Sequence, residues 1–195
     1  TVQVVFADVA GSDDAARDGA HSARDGYLVT SALISVSKTA TLLCDPFNGL
    51  TNPKNIPGAM VRWTITVSNT GATAATLSTI TDTLNAAMLH DANLVAPIDA
   101  ATCSSAAGTA ESEAGDGFQI EYSAPGRALG GADDDGYMTG AADADGATIT
   151  GQAVTIDFAA ALPADPDLVT PANSYAAGEL KAGETATVTF NVTIQ

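Results

Sequence analysis

Asn52–Leu84 reads NPKNIPGAMVRWTITVSNTGATAATLSTITDTL. It opens on a Pro/Gly-rich turn, runs on as an alternating stretch, turns at Asn69-Thr70-Gly71 and ends in Thr81-Asp82-Thr83-Leu84. Val61, Trp63, Ile65 and Val67 fall on one side of the alternating stretch; Arg62, Thr64, Thr66 and Ser68 fall on the other. A period of two carried by β-branched and aromatic residues is the pattern of a half-buried strand. The same period recurs outward from this segment. Near the carboxyl end, Ala186, Val188, Phe190, Val192 and Ile194 oppose Thr187, Thr189, Asn191 and Thr193. In Ala153–Ala159 the apolar set is Val154, Ile156 and Phe158.

Strands are therefore expected at Tyr27–Leu43 (kinked or broken once), Ala59–Asn69, Thr76–Asp82, Phe118–Tyr122, Ala153–Ala159 and Glu184–Ile194. Helical periodicity is poor, and Ala86–Ala92 fits one short turn at most. Pro163, Pro166 and Pro171 keep Leu162–Asn173 out of sheet interiors. Several short strands separated by Gly/Pro turns predict an all-β, antiparallel β-sandwich.

Composition narrows the function. Hydrophobic residues make up 46% of the 195, but aromatics only 5%, so the core must be built on aliphatic side chains. Seven basic residues against 23 acidic ones give a formal charge of -16. Such a surface repels phosphate backbones, which argues against nucleic-acid binding. It suits solubility in salty surroundings, where screening weakens self-repulsion. With no run of about 18 apolar residues, membrane insertion is not expected. The first residue is Thr1 rather than Met, as expected of a processed or excised product.

The chain divides at about Gly26. Thr1–Ala10 is apolar, with Val2, Val4 and Phe6 alternating, and reads as a strand with no partner close in sequence. Gly11–Gly26 is polar, rich in Gly, Asp and Ser, and reads as a linker. Residues 1–26 are thus expected to form an arm and 27–195 the sandwich. Ala101–Ala147 is a long Gly/Ala/Asp-rich insertion within it.

These landmarks, in this order, resemble the bacterial surface-protein repeat called domain of unknown function 11. The resemblance rests on Ser35-Val36-Ser37-Lys38-Thr39, on Asp45-Pro46-Phe47-Asn48-Gly49, and on Asn52-Pro53-Lys54-Asn55-Ile56-Pro57-Gly58-Ala59. It rests also on the Asn-Thr-Gly and Thr-Asp-Thr-Leu strand ends, and on Gly183-Glu184-Thr185 leading the last strand. It implies an immunoglobulin-like sandwich on an exported envelope protein, secreted to the bacterial cell surface, and implies no catalytic residues. In an exported protein, Cys44 and Cys103 read as a disulfide; two buried free thiols are the alternative. Closing a loop of about 60 residues contributes ~4 kcal/mol.

Candidate chemistry is sparse. His21 lies in the linker and His90 follows a strand; neither belongs to a nucleophile motif, and no Gly-x-Ser-x-Gly, HExxH, Walker loop or CxxC occurs. An enzyme is not expected, and neither is an organic cofactor. Calcium is the candidate ion, held by Asp133, Asp135, Asp143 and Asp145 of the insertion, since clustered Asp with Gly supplies hard oxygen ligands. The linker carboxylates Asp13, Asp14, Asp18 and Asp25 form a second cluster. The competing role for both is turn formation and solubility. Lys38 shares the parity of Ile34, Val36 and Leu42, which fits an isopeptide bond to Asn or a snorkelling, salt-bridged lysine. Asn191-Val192-Thr193 is a glycosylation sequon set in mid-strand.

The expected function is structural. An open sandwich leaves unpaired strand edges. A detached strand on a polar leash can fill such an edge in its own molecule or in the next, and strand addition between copies builds a filament. The chain is thus read as a subunit of an extracellular filament or surface layer, joined by Val2, Val4 and Phe6. Thr1–Ala10 also fits the last strand of a preceding repeat. The alternative class is a non-catalytic adhesive or ligand-binding module that meets surface proteins or glycans through the insertion, with Tyr122 and Tyr137 as stacking groups.

Overall fold

The computed structural model describes residues 30–94, 98–99, 103–105, 115–124, 126–130, 136–166 and 173–195. Thirteen strands lie among them. These are β1 (Ile34–Cys44), β2 (Met60–Asn69), β3 (Ala75–Thr76), β4 (Thr79–Thr83), β5 (Met88–Asp91), β6 (Ile98–Asp99), β7 (Ser104–Ser105), β8 (Phe118–Tyr122), β9 (Tyr137–Met138), β10 (Ala147–Thr150), β11 (Ala153–Asp157), β12 (Glu179–Leu180) and β13 (Thr185–Ile194). One turn of helix, α1 (Phe158–Ala161), follows β11.

The large sheet runs β1-β2-β13-β8-β9, every pair antiparallel. β13 is its spine. One edge of β13 pairs β2 from Thr185 to Thr193; the other is shared, β8 taking Ala186–Phe190 and β5 taking Asn191–Ile194. A smaller antiparallel sheet, β10-β11-β4, provides the second layer. Short pairs β3-β12 and β6-β7 complete the pairing.

Directly opposed residues of an antiparallel ladder point to the same face. The registers therefore draw rows across the inner face of the large sheet. One is Val36, Val67, Ala186, Tyr122; the next is Lys38, Ile65, Val188, Ile120; the next is Ala40, Trp63, Phe190, Phe118; the last is Leu42, Val61, Val192. The inner members from β2, β13 and β8 pack in one core with Val154 and Ile156 of the second layer and with Phe158 and Leu162, which follow it in α1 and just beyond. Each large apolar side chain buried there is worth about 1.5–3 kcal/mol. The fold is thus all-β and sandwich-like, with two antiparallel layers closing on one core.

A second, smaller cluster sits on the outer side of the large sheet, where Met60 packs on Cys44 and Cys103. On that side Asn191 is fully buried; its Oδ1 accepts from Arg62 Nε at 3.0 Å and its Nδ2 donates to the Leu94 carbonyl. Arg62 also donates to the Leu94 carbonyl at 3.3 Å. The sequon Asn191 is therefore inaccessible in the folded chain.

Four expectations need correction. Thr76–Asp82 is two strands, because the chain changes partner at Leu77: β3 pairs β12, whereas β4 pairs β11. Ala153–Ala159 is extended only to Asp157. There the Asp157 carboxylate accepts from Ala159 N at 2.9 Å and caps the Phe-Ala-Ala-Ala turn, which still buries Phe158. The Ala86–Ala92 stretch is a strand at Met88–Asp91, formed because the end of β13 offers it a free edge. The first strand begins at Ile34, with its irregularity between Leu42 and Cys44, where the register shifts; Tyr27–Val29 lie outside the described residues.

Candidate functional site

Coverage of the inner face stops at β2. Val67 is almost fully buried, yet Val36, beside it in the same row, is 57% exposed. Ile34 is 37% exposed, and Ala40 is exposed next to the half-buried Trp63. The difference lies in what stands opposite. β4 is the last strand of the small sheet, so among the described residues no further strand of that layer lies beyond it to cover β1. β1 is likewise the last strand of the large sheet. Among the described residues the outer edges of β1 and β4 pair with no further strand, and they border one open flank with an apolar floor.

The flank is pinned at its middle. Asp82 opposes Val154 and shares its inward face. Its carboxylate receives the Lys38 ammonium, which also stands 4.0 Å from the centroid of the Trp63 ring. Lys38 therefore faces inward as its parity predicts, and its partner is a carboxylate in an ion pair. Lys38 and Asp82 are the charged side chains of β1 and β4, and they pair with each other.

The turn at the carboxyl end of β1 is tied together by one carboxylate. Asp45 has no exposed surface; its Oδ1 accepts from the amides of Phe47 and Asn48 at 2.7 Å each. Its Oδ2 accepts from Asn48 Nδ2 at 2.9 Å and Lys54 N at 2.6 Å. Burial works to raise this carboxyl, but the hydrogen bonds from Asn48, Lys54 and Phe47 win and lower it to about 2. The loop so held displays Phe47, 85% exposed, and Leu50.

Cys44 and Cys103 form a disulfide, with Cα atoms 5.7 Å apart. It ties the end of β1 to the insertion. Asp143 and Asp145 serve their own turn. Asp143 accepts from Thr139 Oγ1 at 2.7 Å and Asp145 N at 3.1 Å; Asp145 accepts from the amides of Thr139 and Ala147. The Thr139 hydroxyl leads in holding Asp143 low, while burial pushes Asp145 up. Among the described residues no group of three or more His, Cys, Asp or Glu is placed to hold a metal ion. Asp133 and Asp135 lie outside the described residues, as do Val2, Val4, Phe6, His21 and the linker carboxylates.

Tyr122 is no exposed stacking platform. Arg127 lies over both its ring and that of Tyr175, at 4.3 and 4.4 Å, and donates to the carbonyls of Glu179 and Ala176. Both tyrosine hydroxyls donate to Glu184. Burial, then Glu184, pushes Tyr175 up to about 12 and Tyr122 higher still. Tyr137 is half-buried and accepts from Gln119 Nε2 at 3.1 Å. This cluster welds the 175–184 segment to β8 and was not legible in sequence, because nothing local links Arg127 to either ring. His90 stacks on Phe118 at 4.6 Å and is held low by burial.

Among the described residues no helix is long and apolar enough to cross a membrane. No protein-family model matches the chain, and no curated protein and no solved structure matches it significantly.

Proposed function

We propose that the chain is a non-catalytic structural subunit that self-associates into an extracellular polymer at a bacterial cell surface, each copy taking a strand from the next. One observation carries this reading: the apolar inner face of β1 stands uncovered beside two strand edges that are unpaired among the described residues, with Val36 exposed in a row whose next members are buried. An uncovered apolar row next to unpaired backbone is a template for strand addition. The resemblance to the envelope repeat and its immunoglobulin-like fold supports the compartment, and the Cys44–Cys103 bridge suits an oxidising one. The test is particle size. The full chain should assemble into long particles in electron micrographs, and the chain lacking Thr1–Ala10 should not. Assembly that survives the deletion would remove strand donation from the account.

One observation favours the adhesive alternative. Phe47 and Leu50 are apolar and exposed on a loop hydrogen-bonded to Asp45, which suits a docking surface for another protein. If that role holds, Phe47→Ser with Leu50→Ser abolishes adhesion of the isolated domain to cells without altering its fold. Unchanged adhesion counts against it.

A further inference from the structure

On the strand-exchange reading above, we infer that the Thr1–Ala10 segment of a neighbouring copy seats against the free edge of β4, extends the small sheet and covers the inner face of β1.

Two edges are open, and the rows decide between them. A strand added to β1 would lie in the plane of the large sheet. It would satisfy backbone groups but place nothing over Val36 or Ala40. A strand added to β4 lies in the opposite layer, about 10 Å away face to face, where its inward side chains meet those of β1. The unburied apolar surface is on the inward face, with Val36 and Ala40 in register with Val67 and Trp63. Only the β4 seat buries it. The Lys38–Asp82 pair already joins the middle of β1 to β4, which places the edge of β4 along this row.

The donor matches the seat in period and charge. Val2, Val4 and Phe6 recur every second residue, as do Ile34, Val36, Ala40 and Leu42 apart from the Lys38 step. Asp8 is the one charged side chain of Thr1–Ala10, and the Thr1–Ala7 part that carries Val2, Val4 and Phe6 meets a body of formal charge -16 without side-chain repulsion. The inward-pointing charges that would otherwise guard these edges, Lys38 on β1 and Asp82 on β4, neutralise each other. β4 itself, Thr-Ile-Thr-Asp-Thr, has no proline or lysine to block pairing.

Chain length favours a neighbour as donor. Gly11–Gly26 spans on the order of 50 Å when extended, whereas a strand returning to its own domain needs a loop of only about 2–6 residues.

The test uses the full chain with Phe6 replaced by the photo-crosslinker p-benzoylphenylalanine, together with Val36→Glu and Ser37→Glu. Val36 and Ser37 are both exposed, so neither change threatens the core. Irradiation should give crosslinks between copies that map to Thr79–Thr83 or to the inner residues of β1. Val36→Glu should raise the concentration needed for assembly by about tenfold or more, because it puts a carboxylate under the donated strand. Ser37→Glu, on the outer face, should leave assembly unchanged. Crosslinks between copies that map elsewhere overturn the seat but leave strand exchange standing. So does equal damage from both glutamates, which points to the edge of β1. A full chain that stays monomeric, or crosslinks from position 6 that stay within one chain, overturns the exchange reading and this inference with it.

Discussion

Lys38 and Asp82 meet across the two layers of the sandwich, the ammonium of β1 on the carboxylate of β4, with the Trp63 ring beneath the ammonium. They stand 44 residues apart in sequence, and their contact joins β1 to β4 at the open flank. It is a positioning contact more than a stabilising one. The side chains keep 30% and 20% of their surface in water, where ion pairs are worth about 0–1 kcal/mol. A double-mutant cycle with Lys38→Met and Asp82→Asn, read by urea denaturation, should give a coupling below about 1 kcal/mol that shrinks with salt. A coupling above about 2 kcal/mol would mean that the pair carries load in the monomer.

The disulfide should matter more. Cys44 and Cys103 are 59 residues apart, and closing such a loop removes enough denatured-state entropy to contribute ~4 kcal/mol. Reduction, or Cys44→Ser with Cys103→Ser, should lower Tm by about 8–16 degrees. A shift of only a degree or two would show that the bridge is peripheral.

Asp45 gives the fold an acid limit. Its folded pKa, about 2, lies below the ordinary value of 3.8. A depressed carboxyl contributes stability that is fully present above the unfolded value and is lost as pH falls through the folded one. Thermal melts should therefore weaken between about pH 4 and pH 2. In Asp45→Ala, Tm should be lower at neutral pH and lose less on acidification through that window. Identical pH profiles for the two proteins would refute the role of the Asp45 cage.

His90 acts at higher pH with the same sign. Burial disfavours its charged form, so its folded pKa lies below 6.5, and the unfolded chain binds the proton more readily. Stability from the neutral ring is present above 6.5 and falls as pH drops through 6.5 toward the folded value. His90→Phe should keep the stack on Phe118 and flatten this part of the profile. If the variant melts with an unchanged slope between pH 7 and 5, another group is responsible.

The fold was legible where a strand carries its own period. β2, β8 and β13 alternate cleanly, and their rows form the core. Legibility failed where partners decide. Met88-Leu89-His90-Asp91 has weak strand chemistry and is extended because β13 has an unused edge there. Phe158 keeps the strand period of Val154 and Ile156, yet the Asp157 cap turns the chain. For the site, the parity of Lys38 announced an unusual lysine, but its partner depends on how two sheets stack. The Asp-Pro-Phe-Asn-Gly motif announced a turn; that Asp45 would bind four donors and hold up Phe47 required the three-dimensional return of Lys54. The openness of β1 was not readable at all, since a sequence does not state where the opposite layer ends.

Particle mass decides the central claim most directly. Light scattering on the purified full chain should give masses many times 19.4 kDa, and removal of Thr1–Ala10 should return the protein to that single-chain mass. A full chain that remains at 19.4 kDa at high concentration, or a shortened chain that assembles equally well, would contradict the account.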